Sequence, residues 1–408
     1  MTGFAPRERF PVRHCPVCRS GVSRLLFRQS FDQLSDADLL DGYDVVTCEQ
    51  CGAGFADDIP LQSAFDVYYR DLSKYDYADR GGEAPPRAEG RFQDVATLLE
   101  KFIPSPQSRV LEIGCASGQL LSVLKERGFS NVEGRDPSPG CIRAARELYG
   151  VPGAVDTLFS IPRPGAPYEV LILIGVMEHI RDLERAVDSF HRLLGENGLV
   201  FLEVPDASRY VADLDAPFQE FSVEHINFFS ETSLRNLMQA HGFRALSSGR
   251  AMRPQHEVTC PSTYGVFERS SASVPVQRDA ETEAGLRAYI EGCKKEDARI
   301  RATIRESLRP GEKMIVWGVG THTLRLLATG GLDPVKIALF ADSNPKYQQR
   351  KLHGIPVVSP EELSNHREPI LVSSRGFQWE IQDQIRHGLG LPNPVILLYG
   401  STCRKDCA

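Results

Sequence analysis

The sequence predicts an α/β protein with a doubly wound parallel sheet, a small cysteine-rich N-terminal domain and a second, C-terminal Rossmann-like α/β domain. From Phe92 to Pro205, short β-prone apolar runs alternate with segments of helical spacing, which is typical of a parallel sheet covered by helices. Two Cys-x-x-Cys pairs precede this region. A further strand–turn–helix pattern starts at Met314 and continues to Ser374.

Length and composition indicate a soluble protein of several domains. At 408 residues the chain exceeds what one hydrophobic core supports, and we expect three parts, 1–75, 76–275 and 276–408. Met1 to Arg13 lacks the pattern of a signal peptide, and the apolar run Val170 to Met177 is too short to span a membrane. We therefore expect a cytoplasmic protein without a membrane partner. The net charge of −7 argues against a nucleic-acid partner, and the oligomeric state stays open.

The N-terminal cysteines predict a metal site. Cys15-x-x-Cys18 and Cys48-x-x-Cys51 can each place two thiolates on one ion, and together they complete a tetrahedral site for structural zinc. The residues from 27 to 43 are expected to form an insertion between the two pairs. A redox-active dithiol and unligated cysteines are the alternatives. Four thiolates leave no open coordination position, so this zinc has no predicted catalytic role.

The stretch from Val110 to Leu121 predicts a ligand-binding turn. A β-prone apolar run ends at Gly114, and helical spacing restarts after Gly118. In open α/β sheets, ligands bind at such turns because glycine lets the backbone approach closely. Glu112 would repel a phosphate, which disfavours a dinucleotide and favours a cationic ligand. Asp136 ends a second strand about 20 residues on, where a ribose-binding carboxylate is expected. An ordinary turn without a ligand is the alternative.

The Glu112-x-Gly114-x-x-x-Gly118 pattern resembles motif I of class I methyltransferases, which bind S-adenosylmethionine (SAM). The resemblance implies the class I methyltransferase sheet. It also implies adenine contacts after the third strand and a methyl group near the loop after the fourth. Ala116 stands where this family often carries a middle glycine. The SAM-binding residues implied are Glu112, Gly114, Cys115, Ala116, Gly118, Asp136, Asp156 and Gly175.

Two loops carry residues suited to acid–base chemistry. His179 follows the fourth strand, at the expected ligand edge, and a structural role is its alternative. Glu224 and His225 are adjacent in a loop before a helix, where the carboxylate can orient or tune an imidazole that exchanges a proton near neutral pH. The alternative is that this pair only holds the loop by hydrogen bonds. Tyr75 and Tyr77 either present a phenol to the reacting centre or pack on the sheet.

The C-terminal unit predicts a mononucleotide-type turn. A Gly-x-Gly-x-x-Thr pattern follows its first strand, an acid follows the second, and Ser-Ser-Arg follows a third, where a phosphate would be favoured. A purely architectural turn is the alternative. The candidate substrate-binding residues are Gly318, Gly320, His322, Asp342, Ser374 and Arg375.

The order of the three parts resembles the sugar C-methyltransferases of deoxysugar pathways. These enzymes combine a zinc arm with four cysteine ligands, a SAM core and a nucleotide-like C-terminal unit, and the segments Met177-Glu178-His179 and Glu224-His225-x-x-x-Phe-Ser carry the likeness in the core. The resemblance implies SAM as methyl donor and a nucleotide-linked 4-keto-deoxysugar as the small-molecule substrate. The methyl group would go to a carbon next to the ketone.

The resemblance also implies a mechanism. His225 is the base that removes the proton α to the carbonyl, Glu224 orients or tunes it, and His179 with Tyr75 or Tyr77 stabilises the oxyanion. This chain departs from the family at Ser222-Val223, where Tyr-His is common, and at the segment 253–258, where a glycine-rich turn is common. O- or N-methylation of a nucleotide sugar is therefore a second interpretation. A nicotinamide-dependent oxidoreductase and a silent SAM-binding protein are alternatives from other classes.

Overall fold

The structure is a computed structural model, and it describes residues 10–33, 39–71, 90–212, 214, 216–255, 258–272 and 274–400. Tyr75 and Tyr77 lie outside these residues. Within the described part of the chain, no helix combines the length and the apolar character needed to cross a membrane.

The N-terminal part is an antiparallel sheet that carries both cysteine pairs. Its members are β1 (Ser23–Ser30), β2 (Gly42–Cys48), β3 (Gly54–Asp57) and β9 (Asn227–Phe228), in this spatial order. The predicted insertion between the cysteine pairs falls on the β1–β2 hairpin. A helix, α1 (Gln62–Asp71), follows. Because β9 comes from far along the chain and pairs with β3, the arm is joined to the core by backbone hydrogen bonds.

The central sheet has seven strands. In chain order they are β4 (Val110–Ile113), β5 (Val132–Asp136), β6 (Gly153–Val155), β7 (Tyr168–Ile174), β8 (Leu194–Pro205), β10 (Phe243–Gln255) and β11 (Val258–Arg269). Their spatial order is β10-β11-β8-β7-β4-β5-β6. The first five are parallel, as predicted, whereas β10 and β11 form an antiparallel hairpin beside β8. The strand order reverses between β4 and β7, so the ligand crevice lies at their carboxyl ends.

Helices cover both faces of this sheet. They are α2 (Arg91–Leu99), α3 (Gln119–Glu126), α4 (Pro139–Tyr149), α5 (Leu183–Leu193) and α6 (Glu231–Ala240). The sequence also predicts a helix start after Ser230, and the structure confirms it: the Ser230 hydroxyl accepts the Ser233 N–H, and the two residues form a capping box. The sequence predicts that the preceding helix stops at Gly195. It ends earlier, because Leu194 is buried, extended and already paired with Tyr168.

The C-terminal unit is a second α/β domain, as predicted. Its strands are β12 (Met314–Trp317), β13 (Ile337–Ala341), β14 (Lys351–Leu352), β15 (Ile355–Val358), β16 (Ile370–Val372) and β17 (Val395–Leu397), and its helices include α8 (Thr321–Arg325) and α9 (Gln378–Asp383). The spatial order β14-β15-β13-β12-β16-β17 is parallel except for β14. Its switch point lies between β12 and β16.

A long helix, α7 (Glu281–Glu306), connects the parts, and it agrees with the long amphipathic helix that the sequence predicts over residues 280–308. With 26 residues it extends roughly 39 Å. Leu286 and Tyr289, in its first half, pack in the core shared by the arm and the loop before α6. Ile300 and Ile304, in its second half, pack in the core of the C-terminal unit.

Candidate functional site

The four predicted metal-binding cysteines come together in the arm. The Cys15 and Cys51 sulfurs are 3.5 Å apart, those of Cys18 and Cys48 are 3.4 Å apart, and all four lie within 4.8 Å of one another. Zinc bound tetrahedrally at about 2.3 Å from each sulfur separates them by about 3.8 Å. The hydrogen bond from Cys51 lowers the pKa of the Cys15 thiol. The arrangement therefore fits a four-cysteine zinc site with little rearrangement.

The turn after β4 approaches the loop after β7 closely. Gly114 has a φ of 74°, and a Cβ added to it would lie 2.5 Å from Cγ2 of Val176. Ala116 has a φ of 46°, a left-handed conformation that costs a non-glycine residue about 1–2 kcal/mol, which explains why glycine suits this position. Gly118, also left-handed, caps α3. The turn and the His179 loop thus line the same crevice.

Two buried carboxyl groups lie at this turn. Asp136 accepts hydrogen bonds from the Ala116 N–H (3.0 Å) and the Ser138 N–H (2.8 Å), and burial raises its pKa to about 6. Glu112 is 4% exposed, and its Oε2 has no hydrogen-bond partner among the described residues. Burial and the charge of Asp136 raise the pKa of Glu112 well above its usual value, while Arg91 opposes the rise. An orphaned buried carboxyl oxygen fits the cationic amino group of SAM.

The remaining predicted SAM-binding residues flank this turn. Cys115 is buried, and its sulfur would be 2.4 Å from a Cβ added at Gly134, so β5 passes close to the turn. Asp156 accepts from the Ser160 hydroxyl at 3.0 Å and lies 3.3 Å from Nε of Arg135. Gly175, with a φ of 66°, directly follows β7 beside the crevice. All three sit at the carboxyl edge of the sheet.

The predicted histidines meet at the same edge. The rings of His179 and His225 are 5.0 Å apart between centroids. Glu178 is buried, and its Oε1 lies 3.9 Å from Nε2 of His179. Burial raises the pKa of Glu178 to about 7, and the neighbouring His225, a backbone hydrogen bond and Arg91 oppose the rise. The carboxyl edge of the sheet therefore brings two imidazoles and one carboxyl group together, as acid–base chemistry requires.

The loop before α6 holds His225 by backbone and side-chain contacts. The Ser222 hydroxyl accepts from the N–H groups of Glu224 (3.3 Å) and His225 (3.2 Å). Nδ1 of His225 lies 3.6 Å from the Glu220 carboxylate. Tyr43 of the arm donates its hydroxyl to the Ser222 carbonyl at 2.9 Å. Ser222, which departs from the family pattern, thus shapes this loop, and Glu220 places a carboxylate beside Nδ1 of His225.

Sequence reasoning missed two tyrosines that contact this cluster. Tyr69 Oη lies 2.9 Å from Nδ1 of His179, and Tyr68 donates to Oε1 of Glu224 at 2.9 Å. Nδ1 of His179 also lies 3.0 Å from the Glu224 carbonyl oxygen. Both tyrosines belong to α1, and in the sequence they begin a tyrosine-rich run that continues to Tyr75 and Tyr77. A helical period applied to that run was the available signal that these two tyrosines contact the cluster.

The C-terminal candidates gather at the second switch point. Nδ1 of His322 lies 3.1 Å from the Ser373 hydroxyl, its Nε2 lies 2.7 Å from the Tyr399 hydroxyl, and burial lowers its pKa to about 3. Asp342 accepts from the Val319 N–H at 2.9 Å, as Asp136 does from Ala116 in the core.

The other members of this set surround that point. Gly318 has a φ of 105°, and a Cβ added to it would approach the Ser373 carbonyl to 3.2 Å, whereas Gly320 has open space. Ser374 accepts from the Phe377 N–H at 3.3 Å. The guanidinium of Arg375 lies 5.3 Å from the centre of the Tyr399 ring. The unit therefore presents a glycine turn and a cation at one edge.

Comparisons with known proteins point to one class of enzyme. Residues 87–248 match the family described as methyltransferase domain, and residues 311–397 match the family described as C2185-like, N-terminal. The C-methyltransferase NovU of Streptomyces niveus is 26% identical over 396 residues, which cover 87% of this chain and 88% of NovU. A ubiquinone biosynthesis O-methyltransferase of Xylella fastidiosa is 28% identical over 111 residues, which cover 26% of this chain and 44% of that protein.

Among solved structures, magnesium protoporphyrin IX methyltransferase of Synechocystis with bound SAH superposes with a TM-score of 0.40 and 15% identity, over 52% of this chain and 100% of that one. The methyltransferase domain match includes the turn at Gly114, and the alignment with a methyltransferase runs along most of the chain. These findings decide against the oxidoreductase alternative. The protein is a SAM-dependent methyltransferase with the class I fold.

Proposed function

We propose that this enzyme methylates a carbon next to a ketone in a nucleotide-linked keto-deoxysugar. The observation that carries the proposal is the cluster of His179, His225 and Glu178 beside the turn at Gly114. A carbon acid next to a ketone needs a base and a group that stabilises the enolate oxygen. The likeness to a C-methyltransferase over most of the chain supports the same acceptor chemistry.

Each residue of the cluster has a role in this proposal. His225 removes the α-proton, and the carboxylate of Glu220, 3.6 Å from Nδ1, stabilises the imidazolium that forms. His179 donates Nδ1–H to the Glu224 carbonyl oxygen at 3.0 Å, and the Tyr69 hydroxyl lies 2.9 Å from the same nitrogen. In this proposal the His179 ring is protonated beside the Glu178 carboxyl group, and its Nε2–H stabilises the enolate oxygen. Glu224 holds α1 through Tyr68. SAM, when bound, supplies an electrophilic methyl group to the nucleophilic carbon, and its sulfur keeps the electron pair of the broken bond.

The three parts of the chain divide the work. We assign residues 1–75 to the zinc arm, 76–275 to the SAM core and 276–408 to a domain that holds the nucleotide of the substrate. Glu112, Gly114 and Asp136 bind SAM in this assignment, with the flanking residues described above. The cluster of four cysteines holds zinc, supported by its sulfur–sulfur distances.

The C-terminal unit suits the nucleotide part of the substrate. Its turn at Gly318 repeats the geometry of the SAM turn, with Asp342 bonded to the backbone of the loop. Arg375 adds a positive charge for a diphosphate. Both nitrogens of His322 are already engaged by Ser373 and Tyr399, so in this proposal His322 shapes the site and its ring face meets the ligand.

O- or N-methylation is the second candidate. Ser222 stands where the C-methyltransferase pattern carries a tyrosine, and an O-methyltransferase is among the relatives of the SAM core. A hydroxyl or amine acceptor needs a weaker base than a carbon acid, so the same cluster could serve it.

The test locates the transferred methyl group. The protein is incubated with methyl-labelled SAM and a panel of nucleotide-linked keto sugars, and the label is assigned by NMR. A new C–CH3 signal next to the carbonyl supports C-methylation, whereas an O–CH3 or N–CH3 signal supports the second candidate. His225→Ala is expected to lose turnover while it still binds S-adenosylhomocysteine. Full turnover by that variant would refute the assigned base.

A further inference from the structure

We propose that Arg13 of the zinc arm is a positioning residue, which, through Asn227, fixes the His179 loop and the His225 loop relative to each other. The inference deepens the proposed function and rests on it, because it takes these two histidines as the groups that act on the substrate. It assigns the arm a role in the geometry of the active site, beyond the binding of a metal ion.

Arg13 is a buried cation whose contacts converge on the active-site loops. The residue is 5% exposed, and its guanidinium donates to the carbonyl oxygens of Ala56 (3.2 Å), Ile226 (3.0 Å) and Arg181 (2.7 Å) and to Oδ1 of Asn227 (2.7 Å). The backbone N–H of Arg13 donates to Oδ1 of Asp57 at 2.8 Å. The guanidinium is planar and has five N–H donors, so it can hold four acceptor oxygens at fixed angles. The ammonium group of a lysine cannot do this.

Asn227 carries the constraint across to the His179 loop. Its Nδ2 donates to the carbonyl oxygens of Met177 and Ile180, both at 2.8 Å, and these two residues flank the turn that bears His179. Because Arg13 holds Oδ1, the amide cannot flip, and Nδ2 stays directed at both carbonyls. The side chain is 1% exposed, so water does not replace these bonds.

The same residues fix the position of His225. Ile226 donates its N–H to the Glu178 carbonyl at 2.9 Å and accepts from the Ala56 N–H at 2.9 Å, while Asn227 begins β9 in the arm's sheet. His225 directly precedes these residues. The two histidine loops are far apart in sequence and meet at this network, which we call the Arg13–Asn227 clasp. A shift of the clasp changes the 5.0 Å spacing of the two rings.

The test separates positioning from folding and from cofactor binding. Arg13→Met removes the four hydrogen bonds of the guanidinium and keeps most of the side-chain volume. Arg24→Met is the matched control, because Arg24 is an exposed arginine of the same arm. For each protein we would measure zinc per chain, the Kd of S-adenosylhomocysteine by calorimetry, kcat and KM, and the ring 13C chemical shifts of His179 and His225.

The clasp predicts a specific pattern. Arg13→Met keeps its zinc and binds S-adenosylhomocysteine within about twofold of wild type, while kcat falls roughly 10- to 100-fold, since small displacements in an active site have effects of this size. The shifts of both histidines move. Arg13→Lys recovers part of kcat, and Arg24→Met changes none of these quantities.

Other outcomes overturn the inference. Unchanged ring shifts and an unchanged kcat in folded Arg13→Met would refute the clasp. If Arg13→Met folds poorly, Asn227→Ser, which loses both Nδ2 donors, tests the clasp from the core side with the same expected pattern. Full turnover by His225→Ala would instead refute the proposed function, and the ring shifts, which need no substrate, would still report on the clasp separately.

Discussion

Glu112→Gln is expected to weaken SAM binding and to stabilise the protein without SAM. The substitution keeps the size and shape of the side chain and removes its ionisable group. Glu112 is buried at the end of β4, the charge of Asp136 acts on it, and its Oε2 is without a hydrogen-bond partner among the described residues. The structure therefore predicts that the substitution weakens the binding of SAM and, in the absence of SAM, raises the stability of the folded protein.

The size of the binding effect follows from the charge. A hydrogen bond to a charged group contributes about 1.5–3 kcal/mol, and loss of this contribution raises the Kd of SAM about 10- to 150-fold. The stability effect follows from the raised pKa of Glu112. The folded protein holds this proton at pH values where the unfolded chain has released it, so wild type loses stability as pH rises above the ordinary pKa of 4.5. The Glu112→Gln variant has no ionisable group at this position, so it does not lose this stability as pH rises.

Calorimetry with SAM and thermal unfolding at several pH values would measure both effects. Glu133→Gln is the matched control, because Glu133 contacts Tyr168 at the opposite, amino-terminal end of the sheet. The Tm gap between Glu112→Gln and wild type should widen as pH rises from about 4.5. An unchanged Kd for SAM, or a Tm below that of wild type at high pH, would refute the reasoning.

Three further predictions concern the histidine cluster and the arm. Tyr69→Phe removes the hydroxyl at Nδ1 of His179 and should lower kcat roughly 10-fold in steady-state assays, with the Kd of S-adenosylhomocysteine unchanged; a normal kcat would count against this contact. Glu178→Gln removes an acid of pKa about 7, so its Tm should exceed that of wild type by an amount that grows from pH 4.5 to 7; a constant gap would contradict the raised pKa. Cys48→Ser should lose its zinc, which metal analysis would measure, and its kcat should fall more than its cofactor affinity, because β3 holds the loop that contains β9. Equal losses of kcat and of cofactor affinity would argue against this coupling.

Local features of the fold were predictable from the sequence. The turn at Gly114, the acid at Asp136 and the cysteine pairs each depend on residues close together in the chain, where spacing and residue type determine the geometry. The parallel strands from β4 to β8 follow for the same reason, since each is a short apolar run between helical segments. Such features need no knowledge of how distant segments meet.

Contacts between distant segments were not predictable in this way. Arg13 lies 214 residues from Asn227 in sequence, and Tyr43 lies 179 residues from Ser222. The pairing of β9 with β3 brings both contacts about, and a two-residue strand carries no periodic signal. The predicted phenols, Tyr75 and Tyr77, lie outside the described residues, so their role stays a prediction.

The loop that carries His225 contacts the arm, α7 and the C-terminal unit. β9 in this loop extends the arm's sheet, and Phe221 packs against Tyr289 of α7 with ring centroids 5.1 Å apart. Phe218 lies under the guanidinium of Arg325, a residue of the C-terminal unit, at 5.5 Å. Because close-packed interiors transmit displacements, the position of His225 depends on the arm, on α7 and on the C-terminal unit at once. A change in any of the three reaches the same imidazole, so none of them can be treated as an independent accessory to the SAM core.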